Sequence, residues 1–245
     1  MIRCDLNCDM GEGMGNDELL LPYITSANIA CGYHAGNIDT MKRLVDLCTK
    51  FKVLIGAHPA YPDRKNFGRI DLVGASLKAE DIRAIMNDQL ALLNTVCVEA
   101  GTRMHHVKPH GALYNRACWD EEVAAVICSG IEEFNSSLIL YGMSNSMMKK
   151  QAANNDIVFW NEGFADRTYQ DDGSLTPRSL PGSLLSDVDS CKQQVVRMII
   201  DKQVTTITGR TIPIEVDTVC IHGDGEHAVE FAHAIQGVCS ISTFD

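Results

Sequence analysis

The feature that most limits what this chain can fold into is an alternation. Short apolar runs bounded by turn residues take turns with longer amphipathic stretches along its 245 residues. Runs of strand length cover residues 2–7, 27–31, 53–57, 104–108, 137–141, 156–160 and 218–222, and an eighth covers 237–241. Helical spacing fills most of the intervals. Over 39–51, Met41, Leu44, Val45, Cys48 and Phe51 share one stripe. Ser76 is placed to cap a long helix through Gly101, in which Ile82, Ile85, Met86 and Leu93 recur. Asp120 suits the N-cap of a helix over 121–134, and Ser144 that of one starting near Asn145. Further helices are expected over 184–202 and 226–235. Strand, helix, strand in this order requires parallel pairing with right-handed crossovers. No linker, repeat or low-complexity segment interrupts it, so one β/α domain over 1–245 is expected.

Seven such strands form either an open doubly wound sheet or a closed barrel, and the residues after each run favour the barrel. All but one of the runs end in chemically capable side chains. The first leads into Asp9, Gly11 and Glu12, the second into Gly32 and His34, the third into His58. The fourth supplies His106, Lys108 and His110, the sixth Glu162, Asp166 and Arg167, the seventh His222 and Asp224. Reactive residues gathered after successive parallel strands mark an active site at the carboxyl-terminal face of a barrel. Strand parity sharpens this, because alternate side chains point to opposite faces. Cys4, Leu6 and Cys8 then pack under the helices, while Asp5, Asn7 and Asp9 point into the barrel. The same alternation sends Asn28 and His34, His106, Lys108 and His110, and Cys220 and His222 inward.

Asp9, His34, His58, His110 and His222 are thereby expected to converge. Carboxylate and imidazole together form the ligand set of a hydrolytic zinc or manganese site, with Asp9, His34 and His58 as candidate ligands. A hydrogen-bonded polar network without metal is the alternative. Lys108 inside a barrel mouth is costly unless it meets an anion. A substrate carboxylate or developing oxyanion fits, as does an internal ion pair to Asp5, Asp9 or Glu12. Asp9, Glu12 and Asp224 are the candidate general acids and bases. The glycines of 11–15 and 223–225 match neither a phosphate-binding loop nor a dinucleotide fingerprint, so ATP has no recognisable seat.

Bulk properties remove several function classes. A net charge of −11 argues against a nucleic-acid partner, and 45% hydrophobic with 22% charged residues suits a buried core rather than disorder. No apolar run is long enough to span a membrane, and no signal peptide opens the chain, so a cytoplasmic location is expected. Ten cysteines are spread without a Cys-x-x-Cys pair, mostly inside apolar runs, and read as reduced thiols.

Several blocks together resemble the LamB/YcsF family: residues 5–12 (Asp-Leu-Asn-Cys-Asp-Met-Gly-Glu), 26–36, 55–59, 107–115, 164–167 and 222–224. They occur in the family's order over nearly the whole chain. The resemblance implies a seven-stranded barrel of the glycoside hydrolase/deacetylase type. It also implies ATP-dependent opening of the 5-oxoproline (pyroglutamate) lactam to glutamate, in complex with 5-oxoprolinase B and C subunits. Asp9, Glu12, Lys108 and Asp224 become the catalytic candidates, and Asn7, Asn28, His110, Asp166, Arg167 and His222 the substrate-binding ones. The family usually continues Gly-Phe-Gly-Arg-Arg where this chain has Asn66-Phe67-Gly68-Arg69-Ile70; it also carries Asp88-Gln89 for a common Tyr-Gln pair, and Gly13-Met14 for the usual residues after Glu12. Two other functions stay open: a stand-alone metal-dependent deacetylase of a small N-acylated substrate, and a non-catalytic subunit that binds a small carboxylic ligand.

Overall fold

The alternation of the first apolar run builds β1 (Ile2–Met10), whose odd and even residues serve opposite faces. A computed structural model describes residues 2–223, 225, 227–236 and 239–241, with backbone alone for 2, 3 and 239–241. After β1 come β2 (Ser26–Ala30), β3 (Leu54–His58), β4 (His106–Val107), β5 (Ile139–Met143) and β6 (Phe159–Phe164). The remaining strands are β7 (Gln203–Thr205), β8 (Thr211–Pro213), β9 (Thr218–Ile221) and β10 (Cys239–Ile241). Strands β1 to β6 and β9 pair in parallel in that order, and β9 returns to β1, so seven parallel strands close a barrel. β1 is long enough to serve three neighbours. Its start pairs with β10, its middle with β9 and its end with β2.

The helices follow the strands: α1 (Asp17–Leu20), α2 (Ile38–Phe51), α3 (Asp81–Glu99), α4 (Gly111–Trp119), α5 (Glu121–Asn135), α6 (Met147–Asn154), α7 (Val188–Val196) and α8 (Ala228–Gln236). Their apolar stripes cover the outward faces of the strands. Met41, Leu44, Val45 and Cys48 of α2 and Ile82, Met86, Leu90 and Leu93 of α3 are buried in the same core as Leu6, Cys8 and Ile29. The inward faces hold a polar column instead. At its base Asp5 accepts hydrogen bonds from Thr25 (2.6 Å), Ser26 (2.6 Å) and Thr218 (2.5 Å). Burial nevertheless pushes its carboxyl above the usual range. Cys8, Cys31, Cys48, Cys97, Cys118, Cys128, Cys191 and Cys220 are free and buried.

Local chemistry moved several element boundaries. Asp120 caps α5 as expected, accepting from the amides of Glu122 and Val123. Ser76 does not cap α3: its amide closes a turn onto Leu72, and the helix starts at Asp81 without a side-chain cap. Ser146 rather than Ser144 caps α6, through the Lys149 amide. Asp187 starts α7 by accepting from Ser190, four residues inside the expected 184–202 helix, and its last turn widens to a π-turn over Arg197–Asp201. The sequence reading missed α4 and the antiparallel β7–β8 hairpin, and set β5 and β6 two to three residues early.

Candidate functional site

The polar column ends in a buried ion cluster at the carboxyl ends of the strands. Lys108, directly after β4, places Nζ 2.9 Å from Asp9 Oδ1 and 2.8 Å from Glu162 Oε1. It also lies 3.2 Å from Asn7 Oδ1, 3.0 Å from Cys220 Sγ and 5.5 Å above the Phe164 ring. Asn28 donates to Asn7 (2.8 Å) and to Asp9 Oδ1 (2.9 Å), and its own oxygen takes the His106 Nε2 contact at 2.7 Å. Burial alone would raise the Asp9 carboxyl, but the charges of His58 and Lys108 outweigh it and hold Asp9 well below the usual carboxylate range. Burial likewise works against a charged Lys108, yet Asp9 and Glu162 keep it cationic by raising it well above the ordinary lysine value.

Beside this cluster three histidines surround Glu12. His34 Nε2 lies 2.9 Å and His110 Nδ1 3.2 Å from Glu12 Oε1, with His58 Nε2 at 3.7 Å. His34 stacks on His110 at 3.8 Å, and His58 meets His110 edge-on. Burial lowers His34 to about 4, so it stands neutral at physiological pH. Glu12, His34, His58 and His110 each offer a ligand atom within 4.8 Å of the others; Asp9, Cys220 and His222 form a second such group.

A cavity of about 420 Å³ opens over both clusters. Asp9, Glu12, His58, Lys108, His110 and His222 lie on its floor, with Phe67, Met143 and Phe164 as apolar walls. Arg69, Arg167 and Arg178 lie around its mouth. Arg167 is fixed by backbone carbonyls, Thr176 O at 2.6 Å and Ser183 O at 3.3 Å. Its guanidinium is lowered first by burial and then by the nearby Arg178 charge, which makes this wall attractive to an anion. Opposite, Asp166 accepts from the His222 amide (3.1 Å) and contacts His222 Nδ1 (3.0 Å), which turns the far ring nitrogen to the cavity.

The sequence-derived residues thus divide. Asp9, Glu12, His58, Lys108, His110, Arg167 and His222 line one cavity. Asn7 and Asn28, expected to touch substrate, are wholly buried below it and hold Asp9 and Lys108 instead. Asp166 also stands behind the surface, as the partner of His222. Asp9, expected as a metal ligand with His34 and His58, brings Oδ2 to 3.4 Å from His58 Nε2 and groups with Cys220 and His222, while His34 and His58 group with Glu12 and His110. Lys108 meets two carboxylates of the protein, one of them the anticipated Asp9, and also lines the cavity. Asp224 lies outside the described residues. Sequence reasoning noted Glu162 after the sixth run and Cys220 on an inward face but gave neither a role in the site. Extending the sixth strand to Phe164 would have exposed Glu162, since Trp160, Glu162 and Phe164 then share parity.

Comparison with known proteins fits this arrangement. The LamB/YcsF family model matches residues 4–243. The chain belongs to the LamB/YcsF family. It is 44% identical over 245 residues to the 5-oxoprolinase A subunit of Brevibacillus brevis, covering 98% of this chain and 95% of that one. Identity to the protein of the same name from Clostridium beijerinckii is 43%, over 96% and 93% of the two chains. Among solved structures, the lactam utilization protein from Thermus thermophilus superposes with a TM-score of 0.90 at 33% identity, covering 99% of this chain and 100% of that one. Two departures from the LamB/YcsF pattern have visible settings. Ile70, in place of the second arginine, is exposed, whereas Arg69 lies over the Phe67 ring at the cavity mouth. Asp88 accepts from the Tyr33 hydroxyl at 3.3 Å, while its neighbour Gln89 is buried and bonds both backbone groups of Ala60.

Proposed function

We propose that this chain is the A subunit of a 5-oxoprolinase, a single catalytic barrel that opens the 5-oxoproline lactam to L-glutamate with B and C partner subunits and ATP. The observation that carries the reading is the joint one: full-length similarity to proteins of that name, and a cavity pairing an ionised carboxylate with arginines and apolar walls. The lactam offers a carboxylate, a flat apolar ring and an amide, and each finds a complement. Arg167 and Arg178 would take the carboxylate, Phe67 and Phe164 the ring, and the floor the amide.

Opening requires water to add at the lactam carbonyl carbon, the C–N bond to break, and the ring nitrogen to gain a proton. Asp9, kept ionised by Lys108, would act as the general base that takes the proton from water. Lys108 stabilises negative charge as it develops on the carbonyl oxygen. His222, oriented by Asp166, is placed to return a proton to the leaving nitrogen. A divalent cation at the Glu12–histidine centre, when bound, would polarise the same carbonyl. ATP activation of the carbonyl is assigned to the complex, because this chain carries no recognisable phosphate loop. A cytoplasmic location belongs to the same reading; among the described residues, no helix is long and apolar enough to cross a membrane.

The carboxylate–histidine group favours one rival, a metal-dependent deacetylase of a small N-acylated substrate. Parallel assays separate the two. The chain combined with its partner subunits should convert 5-oxoproline to glutamate and leave N-acetylated sugars intact. Deacetylation by the chain alone, without lactam opening in the combined sample, would replace the proposal with its rival.

A further inference from the structure

Two histidines on the cavity floor face each other with ends unsuited to a hydrogen bond. His58 Nδ1 lies 2.7 Å from the carbonyl oxygen of Lys108, and His110 Nε2 lies 2.8 Å from that of Phe67. A carbonyl oxygen only accepts, so both of these nitrogens carry hydrogen. A neutral imidazole has a single N–H; the charged His58 that helps hold Asp9 low is the protonated, metal-free form of the same ring. In the neutral form His58 Nε2 and His110 Nδ1 are two lone pairs only 2.9 Å apart, Glu12 Oε1 adds a third at 3.2 and 3.7 Å, and Asp9 Oδ2 lies 3.4 Å from His58 Nε2 at the edge of the group. Lone pairs of two imidazoles and a carboxylate held this close, with the Asp9 carboxylate beside them, call for a cation between them.

That cation is a shared proton or a metal ion, and three features select the metal. Ligating histidines typically donate their outer N–H to a carbonyl or carboxylate, which fixes ring and tautomer, as both rings do here. A four-coordinate ion with bonds of about 2.0–2.1 Å sets its ligand atoms about 3.3 Å apart. The separations here run from 2.9 to 3.7 Å. Finally, Glu12, His58 and His110 all line the cavity, so the side away from the protein is open to a small molecule.

His34 stands differently. It is buried, does not line the cavity, and its Nδ1 meets no partner. A buried N–H without an acceptor is costly, so the hydrogen belongs on Nε2, 2.9 Å from Glu12 Oε1. We propose that Glu12, His58 and His110 form a three-residue site for a divalent transition-metal ion of the zinc type, with one position open to the cavity. His34 is a positioning residue that donates to Glu12 and stacks on His110. Two imidazoles and one carboxylate suit zinc or cobalt(II) better than magnesium or calcium, which prefer all-oxygen shells. The inference rests on these atoms and not on the lactam reading.

The test uses the full chain, stripped with a chelator and titrated with cobalt(II), read by visible ligand-field absorption and by metal content per chain. One ion per chain is expected, displaced by zinc and not by magnesium. His58→Ala and His110→Ala should abolish the bands, and the near-isosteric Glu12→Gln should weaken binding. His34→Gln should keep one ion per chain while affinity falls about 10- to 100-fold, the usual effect of losing an outer partner. Circular dichroism on each variant separates lost binding from lost fold. A wild-type chain that holds no stoichiometric ion would leave a shared proton and overturn the site. Abolition of the bands by His34→Gln would make His34 a ligand and overturn the assignment of roles. Loss of the bands in a folded Cys220→Ser variant, with His58→Ala unaffected, would move the ion to the Asp9–Cys220–His222 group and overturn it as well.

Discussion

Lys108 and Asp9 show how a single ion pair ties the site's chemistry to its pH range. Asp9 stays ionised because His58 and Lys108 outweigh its burial. Replacing Lys108 with methionine removes one of those charges and leaves a side chain of similar length. Turnover in the assembled enzyme should fall by about two orders of magnitude or more, as for loss of an oxyanion contact. The Asp9 pKa should also rise, so the acidic limb of the pH–rate profile should move to higher pH; an unmoved limb would take Asp9 out of the general-base role. At this scale parity was the readable signal. It sent Asp5, Asn7 and Asp9 inward and Cys4, Leu6 and Cys8 outward, and the contacts of β1 follow that division, apolar core on one face and hydrogen-bonded polar column on the other. Parity does not give depth, however. Asn7 and Asn28 share the face of Asp9 but sit below the cavity, because the side chains of Asp9 and Lys108 cover them. Nor does parity tell a thiol in an apolar run from one beside an ammonium, which is why Cys220 read as packing.

At the scale of elements, two substitutions test how local choices hold the barrel. Gly56 of β3 lies opposite His106 of β4, and a Cβ built on it would come 2.0 Å from the imidazole. That ring cannot retreat, because it stacks on Tyr141 at 4.1 Å and bonds Asn28. Gly56→Ala should therefore destabilise the protein by about 1–3 kcal/mol, the usual range for overpacking. The penalty should shrink on a His106→Ala background, and an equal penalty on both would refute the contact as its cause. Asp120→Ala removes the α5 cap and should cost about 1 kcal/mol, seen as a Tm drop of roughly 2–4 °C. The amides it accepts and Arg116 outweigh its slight burial and depress its carboxyl below 3.8. For a depressed carboxyl, the stability difference from Asp120→Ala is fully present above 3.8 and lost as pH falls through the lower folded value. Denaturant titrations of both proteins at stepped pH would show the gap close on the acid side only. Caps were legible where an acceptor directly precedes a periodic stripe, as at Asp120. They misled at Ser76, where a turn intervenes, and at 184–202, where Asp187 competes as a start. α4 escaped because a nine-residue helix beginning straight after a two-residue strand leaves too little periodicity on either side.

At the scale of the whole molecule, the proposed reaction poses the question of where ATP would act. The strand order and the barrel closure were legible because seven apolar runs, each followed by polar chemistry, admit few parallel topologies. The nucleotide was not legible, and the reason is chemical. The Gly11–Gly15 loop follows a strand but lacks the lysine and hydroxyl residue of a phosphate cradle, and the floor of the cavity sets two carboxylates, Asp9 and Glu12, beside three histidines and Lys108. A polyphosphate with its magnesium would meet Asp9 and Glu12 there. The arginines at the mouth suit one small anion better than a nucleotide tail. Yet a five-membered lactam resists simple hydrolysis, and in the proposed roles the groups on this floor would supply base, acid and charge stabilisation rather than an activated leaving oxygen. Activation should therefore come from the partner chains. The purified chain with ATP and magnesium should give negligible glutamate from 5-oxoproline. Addition of the B and C subunits should restore turnover, with one ADP formed for each glutamate. Following both products across separate and combined subunits decides the point. Robust ATP-coupled turnover by the chain alone would place the nucleotide site within this barrel, and glutamate formed without ADP would remove ATP from the reaction.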